Sequence, residues 1–521
     1  MSSVALFRQR HAREAALAAV CAILFLTFLD NTIVSVALAN IQTSLNTSVS
    51  GLQWIVDGYM LAFAALMLTG GTLGDLFGRK KVMLGGVAIF CAGSVMAAVA
   101  PGNGILIAGR IVMGVGAAAS EPGTLSVLRH VYPERKERAV ALGVWAAVSG
   151  LALALGPVIG GVLVEGAGGW RSIFWFSLGL GAVCFAAAAV TLTETSDPEG
   201  RKLDVPGLGT GASAILAATF AVIEGENHGY GTWWIVLLFA ASAGLTVLFV
   251  QIERRSPDPV LKLEFLRNPT FTAANVVAFA VNLAVFSVFF FTALYLQLIT
   301  NFSGYQIALV FTSLAVAMIV AGPLAGRWTA RAGPRIPMVL GCLLAGLGLF
   351  LVDHQLTATT SVGALAWPLA IAGVGFGIAF VTMTQAVLTI VRPEESGMAA
   401  STVNTSRELG GVFGVAVLGA VVNAQLTSGL TEKLVKLGIP LQFREIVVRI
   451  VTTGGSTNPS DYPIAKGNGK IVVKVLLAAE GSAGHGVHLA LEIAGGIVLA
   501  AAVVAAFAAR HRVRHVDKVE V

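Results

Sequence analysis

The chain is short of charge. Only 12% of its 521 residues are Asp, Glu, Lys or Arg, while 56% are hydrophobic and the mean hydropathy is +0.82. An ordinary soluble chain is about a quarter charged, and so little polar surface cannot clothe a water-facing globule. Lipid is the solvent that fits. Proline is scarce at 17 residues, which excludes a disordered Pro/Gly-rich chain. Cysteine is scarcer still. Cys21, Cys91, Cys184 and Cys342 each fall in a different apolar run, with no CxxC and no Cys/His ligand spacing. Disulfides and a metal site are therefore not expected. The eight histidines avoid the middles of the apolar runs, which argues against a histidine proton relay. No Gly-x-x-x-x-Gly-Lys-Ser/Thr string occurs, and Gly469-Lys470 lacks its upstream glycine. An ATPase phosphate cradle is thus missing, and work by this chain must draw on an ion gradient or a partner. A clustered nucleophile, base and metal set is also missing, so an enzyme is not expected and no cofactor is called for.

What is present is a succession of apolar runs. A bilayer-spanning helix needs about twenty mostly apolar residues. The chain offers fourteen such segments, near 15–40, 52–73, 83–100, 104–128, 139–163, 171–192, 207–224, 232–252, 270–297, 304–326, 337–353, 363–390, 396–422 and 487–510. The expected fold class is all-α integral membrane. Sixty glycines suit it, because small residues let membrane helices approach closely. The first run follows Arg8, Arg10 and Arg13, and Ala37-Leu38-Ala39 mimics a cleavage site. It is too long for a signal-peptide core and contains Asp30, so it reads as a retained span.

The net charge is +6, but the basic residues stand in short clusters between apolar runs rather than on a nucleic-acid-binding face. Of the 34 Lys and Arg, 24 lie in alternate connections, including Arg79-Lys80-Lys81, Arg254-Arg255 and Arg510/Arg512/Arg514. The positive-inside rule puts those connections, and both termini, in the cytoplasm. The seven basic residues from Lys433 to Lys474 fall in a long outer segment at about 423–486, and loops of that length largely escape the rule. That segment could hold a short surface helix or a hairpin.

Two connections echo each other. GTLGDLFGRKK (71–81) joins spans two and three, and GPLAGRWTARAGPR (322–335) joins spans ten and eleven. An offset of eight spans fits two six-helix repeats separated by two extra helices. The expected organisation is a six-helix bundle over 1–200, two inserted helices over 201–262, and a second six-helix bundle over 263–521. Repeats of this kind place a substrate site between halves that rock about it.

The first connection carries a Gly-x-Leu-x-Asp-x-x-Gly-Arg-Lys pattern. Gly71, Gly74 and Gly78 allow tight turning, Asp75 can accept hydrogen bonds at a helix end, and Arg79 and Lys80 anchor the loop. It resembles the signature loop of the major facilitator superfamily, where the loop latches one conformation. In span five, GLALALGPVIGG (150–161) resembles the antiporter motif of that superfamily's drug-exporting branch. Its Gly150, Gly156, Gly160 and Gly161 permit close helix packing, and Pro157 removes a backbone donor. LDNTIV (29–34) and WIVDGY (54–59) narrow the resemblance to the fourteen-helix drug:proton antiporters, the multidrug and quaternary ammonium exporters. The resemblance covers essentially the whole chain and is strongest over the first 165 residues. It implies proton-coupled efflux of small lipophilic, often cationic compounds across a bacterial cell membrane. The implied partners are substrate, protons and lipid, with a monomer expected. An Ala/Val/Gly-rich composition also fits a dedicated exporter of a self-made antibiotic or metabolite.

Ionisable groups inside spans are costly and face the bundle interior or a cavity. Asp30 lies two-thirds through span one, where it could trade protons or attract a cation. Asp57, two turns into span two, lines an outer vestibule or is an interfacial carboxylate. Arg110 stands in IAGRIVMGVG (107–116), which resembles the superfamily's span-four proton-transfer motif, at a depth near both acids. Glu121 is eleven residues on, nearly in phase with Arg110. It departs from the family pattern and either adds a cation site or pairs with a neighbour. In NTSRELGG (404–411) Arg407 fits the family, whereas Glu408 departs from it. Adjacent opposite charges point about 100° apart, so one of them could reach a cavity.

Overall fold

In lipid an apolar chain can satisfy its own backbone only by coiling into helices or closing a barrel, and here it coils. The computed structural model describes residues 3–47, 49–166, 168–196, 204–259, 261–300, 302–391, 396–436 and 465–508, and all regular structure among them is helical. Helix α1 (Ser3–Ile33) continues through a 3-10 turn into α2 (Leu38–Leu45). There follow α3 (Val49–Phe77), α4 (Arg79–Ala98), α5 (Asn103–Ser120), α6 (Pro122–Val131), α7 (Arg135–Glu165) and α8 (Arg171–Thr191). Next come α9 (Val205–His228), α10 (Trp233–Arg255), the short α11 (Glu264–Arg267), α12 (Pro269–Ser287) and α13 (Ala293–Leu298). The chain ends with α14 (Gly304–Ala332), α15 (Arg335–Gln355), α16 (Val362–Ile390), α17 (Ser396–Lys436) and α18 (Ala465–Ala508).

Thirteen described segments are long and apolar enough to cross a bilayer. Helix α3, bent by 50° between Met67 and Thr69, makes a fourteenth. The bend falls beside Gly70-Gly71, where the backbone is least hindered. Helices α5 and α6 form one span broken at Glu121-Pro122, and α12 and α13 form another, joined by a π-helical turn over Val288–Thr292. Helices α1 to α8 pack on one another, as do α12 to α18. Helix α9 leans on both α3 and α17, and α10 packs against α9. Large apolar side chains such as Val190, Leu237, Val320 and Phe507 are exposed on the outside, as a lipid-facing surface requires.

One expectation is corrected. The segment at about 423–486 is not a loop at either end, because α17 runs on to Lys436 and α18 begins at Ala465. A helix of 44 residues is about 66 Å long at ~1.5 Å per residue, roughly twice the hydrocarbon thickness. Together α17 and α18 therefore form a hairpin that projects past the bilayer. Leu430 and Leu434, four apart on one face, are fully buried, and Gly429 lets Ser482 of α18 approach α17. Residues 437–464, including the basic Arg444 and Arg449, lie outside the described residues, as do Arg510, Arg512 and Arg514.

Candidate functional site

Asp30 of α1 and Arg110 of α5 form an ion pair through Oδ2 and a guanidinium NH, with both side chains almost fully removed from solvent. Arg110 Nε also donates to the Ile55 carbonyl of α3 at 2.9 Å, and the guanidinium lies 4.5 Å over the Tyr59 ring. The Tyr59 hydroxyl donates to the Thr27 carbonyl of α1 at 3.0 Å, closing the circle of three helices. Glycine makes the arrangement reachable. A Cβ on Gly114 would come within 2.4 Å of the Tyr59 carbonyl oxygen, so α5 can approach α3 only without one. A charge is tolerated in such a setting only when paired. Asp30 Oδ1 and one Arg110 nitrogen still have no hydrogen-bond partner among the described residues. The pair is satisfied enough to persist and retains capacity for a proton, water or ligand.

The antiporter-like motif touches the same stretch of α1. Pro157 has no N–H, so the Leu153 carbonyl one turn earlier loses its helical donor. The hydroxyl of Thr32, two residues past Asp30, donates to that carbonyl at 2.8 Å. Gly156 and Gly160 make room for this contact: a Cβ would lie 1.9 Å from Thr32 Oγ1 in the first case and 2.6 Å from the Ile33 carbonyl oxygen in the second. Gly150 faces Met318 of α14, and Gly161 is buried. Proline, glycine and threonine thus bind α7 to the helix that bears Asp30.

A second charged group lies where α6 packs on α17 and α7 on α16. Glu121, at the break between α5 and α6, is fully buried, and neither carboxylate oxygen has a hydrogen-bond partner among the described residues. It is within electrostatic reach of Arg407 and Glu408 on α17, which are also buried. The Arg407 guanidinium stands 4.8 Å from the Phe28 ring, 4.7 Å from Phe380 and 5.9 Å from Trp145. Its hydrogen bonding is sparse: one NH reaches Asn404 Oδ1 at 3.4 Å, while Nε and the other terminal nitrogen find none among the described residues. The Trp145 ring is fixed at its edge, because its Nε1 donates to Thr124 Oγ1 at 3.1 Å and Thr124 in turn donates to the Glu121 carbonyl at 2.6 Å.

The signature-like loop is a tight turn. Gly78 has φ +104°, and Asp75 accepts from Arg79 Nε at 2.9 Å. Arg79 N donates to the Thr195 carbonyl, Lys80 N to Glu194, and Lys80 Nζ to the Ala189 carbonyl at 2.7 Å, which ties the turn to the end of α8. Gly74 is buried above Arg79. Gly71 looks the other way, where a Cβ would meet Ser401 Oγ of α17 at 2.2 Å. The echoing connection turns at Gly333, with φ +78°.

A family model described as Major Facilitator Superfamily matches residues 20–415, well over half of the chain. The chain belongs to the Major Facilitator Superfamily. It is 33% identical over 441 residues to the "Multidrug resistance protein Stp" of Mycobacterium tuberculosis (strain ATCC 25618 / H37Rv), covering 84% of this chain and 80% of that protein. It is 35% identical over 396 residues to the "Methylenomycin A resistance protein" of Streptomyces coelicolor, covering 76% and 83%. Among solved structures, the human organic anion transporter MFSD10 (TETRAN) superposes with a TM-score of 0.60 at 13% identity, covering 95% of this chain and 99% of that one, a likeness of fold. As a superfamily member the chain is a multi-pass membrane transporter and not an enzyme.

For a superfamily transporter the site question is which polar groups the two sets of helices turn inward. Of the five charged candidates, the structure joins Asp30 to Arg110 and gathers Glu121 with Glu408; Asp57 is buried on α3. Sequence reasoning missed the aromatic surroundings of Arg407 and the amides of Asn31 and Asn282, which are buried with no hydrogen-bond partner for either polar atom among the described residues. A polar residue in mid-span is the signal that finds such amides. By contrast, an apolar groove of about 860 Å³ between α14 and α16 is lined by residues such as Val316, Val320, Leu324 and Trp328 and by no charged group. Val320 and Leu324 are exposed there, so the groove faces lipid and lies apart from the charged site.

Proposed function

We propose that this chain is an antiporter of the bacterial cell membrane, expelling small lipophilic, often cationic drugs or antibiotics in exchange for protons, with both termini in the cytoplasm. The observation that carries the reading is the buried Asp30–Arg110 pair, held by three helices of the N-terminal group. A carboxylate placed in an oily bundle and matched to a single guanidinium can exchange that partner for a proton. In this cycle a proton from outside reaches Asp30, weakens its hold on Arg110, and favours release of cargo outward. Reset delivers the proton to the cytoplasm. The relatives named for multidrug and methylenomycin A resistance support the cargo class. The packing of α6 on α17 and of α7 on α16, at the end bearing the Gly78 turn, supports a state closed toward the cytoplasm.

The test is drug-dependent proton release in inverted vesicles. Asp30→Asn is expected to abolish it while the protein still inserts. Unchanged proton release by Asp30→Asn would remove Asp30 from the role. The likeness to a protein named for resistance to a single antibiotic favours a second reading, a dedicated exporter of one such compound. A drug-susceptibility panel in a pump-deficient bacterial host separates the two: protection against several unrelated compounds supports broad efflux, and protection against one supports the dedicated exporter.

A further inference from the structure

We infer that Phe28, Trp145 and Glu121 form a receptor for a delocalised organic cation, and that Arg407 occupies it as a built-in stand-in for cargo. This rests on the efflux reading above and names where the positive charge of the cargo docks. Phe28 of α1, Trp145 of α7 and Glu121 at the α5–α6 break belong to the N-terminal helices, whereas Arg407 and Glu408 belong to α17. The C-terminal group therefore inserts a cation into a box built by the other, with Phe380 of α16 as a third ring.

The chemistry of the box is that of cation recognition. Aromatic faces attract a cation that has shed its water, most effectively when a carboxylate stands nearby. Glu121 has no hydrogen-bond partner for either oxygen among the described residues, so no fork of N–H donors occupies its carboxyl group and it stays available to a cation. Arg407 is held by ring faces and charge, with a single long hydrogen bond from the nitrogens named above. An occupant attached this way is replaceable by any flat or bulky cation that needs no hydrogen bonds. Once replaced, Arg407 no longer tethers α17 to the N-terminal helices, and the seam between α6 and α17 can part. Cargo of the right charge thus unfastens the seam that confines it. A neutral or anionic compound of the same shape does not.

Ser401 reports on that seam. It is buried on α17 and faces Gly71 of α3. In a background with Cys21, Cys91, Cys184 and Cys342 replaced by Ala, Ser401→Cys is labelled with a polar maleimide in lipid nanodiscs. Tetraphenylphosphonium is expected to speed labelling by about ten-fold, the shift produced by a ligand that prefers the open state by that factor. Tetraphenylborate, of the same shape and opposite charge, is expected to leave it unchanged. Adding Arg407→Ala should raise the rate without any ligand and remove the response to the cation. Arg407→Lys keeps the charge, lacks the flat face and should give an intermediate rate. Trp145→Ala carries the same prediction should Arg407→Ala fail to fold. The inference is overturned if the Arg407 variants label at the parent rate, if the cation acts equally without Arg407, or if the anion acts like the cation. Asp30→Asn separates this from the antiport reading: a normal labelling response with drug-dependent proton release unchanged by Asp30→Asn removes Asp30 from proton coupling alone, whereas coupled efflux with no labelling response overturns the receptor alone.

Discussion

The two buried charge groups differ in what they join. The Asp30–Arg110 pair is drawn wholly from α1, α3 and α5, helices that pack in one group. Its partners keep their distances when the two groups of helices move as bodies. The Glu121–Arg407–Glu408 group is split, one carboxylate from one side of the seam and two charges from the other. Any parting of the seam changes its electrostatics at once. The first arrangement suits holding and releasing a small ion in place, and the second suits sensing relative movement. The pair matches one carboxyl group with one guanidinium, whereas the split group gathers two carboxyl groups around one guanidinium across the seam.

Breaking each group tests that contrast. Arg110→Met leaves the Asp30 carboxylate buried and alone, and is expected to cost about 3–5 kcal/mol of stability, read as a drop in thermal unfolding midpoint in detergent. Asp30→Leu added to it should recover most of the loss. Equal loss in the single and double variants would break the idea of a self-contained pair. Arg407→Met removes the one guanidinium beside two buried carboxylates and should cost about as much, although the surrounding rings accept a thioether. Next in size is Gly156→Ala, whose new methyl would sit 1.9 Å from Thr32 Oγ1 within one group of helices. Overpacking of this kind costs roughly 1–3 kcal/mol. Gly143→Ala, on the same helix but facing Pro323 at 3.8 Å across the seam, should change stability by less than about 0.5 kcal/mol. Similar costs at both positions would erase the distinction between these two contacts. Smallest is Thr32→Val, which removes one hydrogen bond and should cost about 1 kcal/mol. Pro157→Ala returns a donor to the Leu153 carbonyl, so Thr32→Val made in that background should be nearly silent. Additive effects in this double-mutant cycle would dissociate the proline from the threonine.

Much of this molecule could be read from the sequence, for definite reasons. Spans follow from hydropathy because lipid leaves the backbone no alternative to helix, and the Gly78 turn follows from a glycine spacing that few other structures need. Asp30 and Arg110 stood out as charges in apolar runs, although their union required the depths of two spans to coincide. The box around Arg407 was not legible. Its members, Phe28, Glu121, Trp145 and Phe380, come from four separated segments, and an aromatic residue in a membrane span looks like ordinary packing. The 423–486 segment misled because its glycines and polar residues lower helix propensity. The buried faces at Leu430, Leu434 and Ser482, which outweigh that penalty, appear only when α17 and α18 lie side by side.

Helix α17 carries Arg407 and Glu408 near one end and runs unbroken to Lys436. From Arg407 to that tip is about 44 Å at ~1.5 Å per residue. The helix is therefore a lever whose fulcrum lies by the buried charges and whose far end is the Lys436 tip. By simple trigonometry a tilt of about 10° at the fulcrum sweeps the tip through roughly 8 Å, given that helix rise. An antibody clamped to the projecting ends of α17 and α18 is expected to brake transport without reaching into the pore.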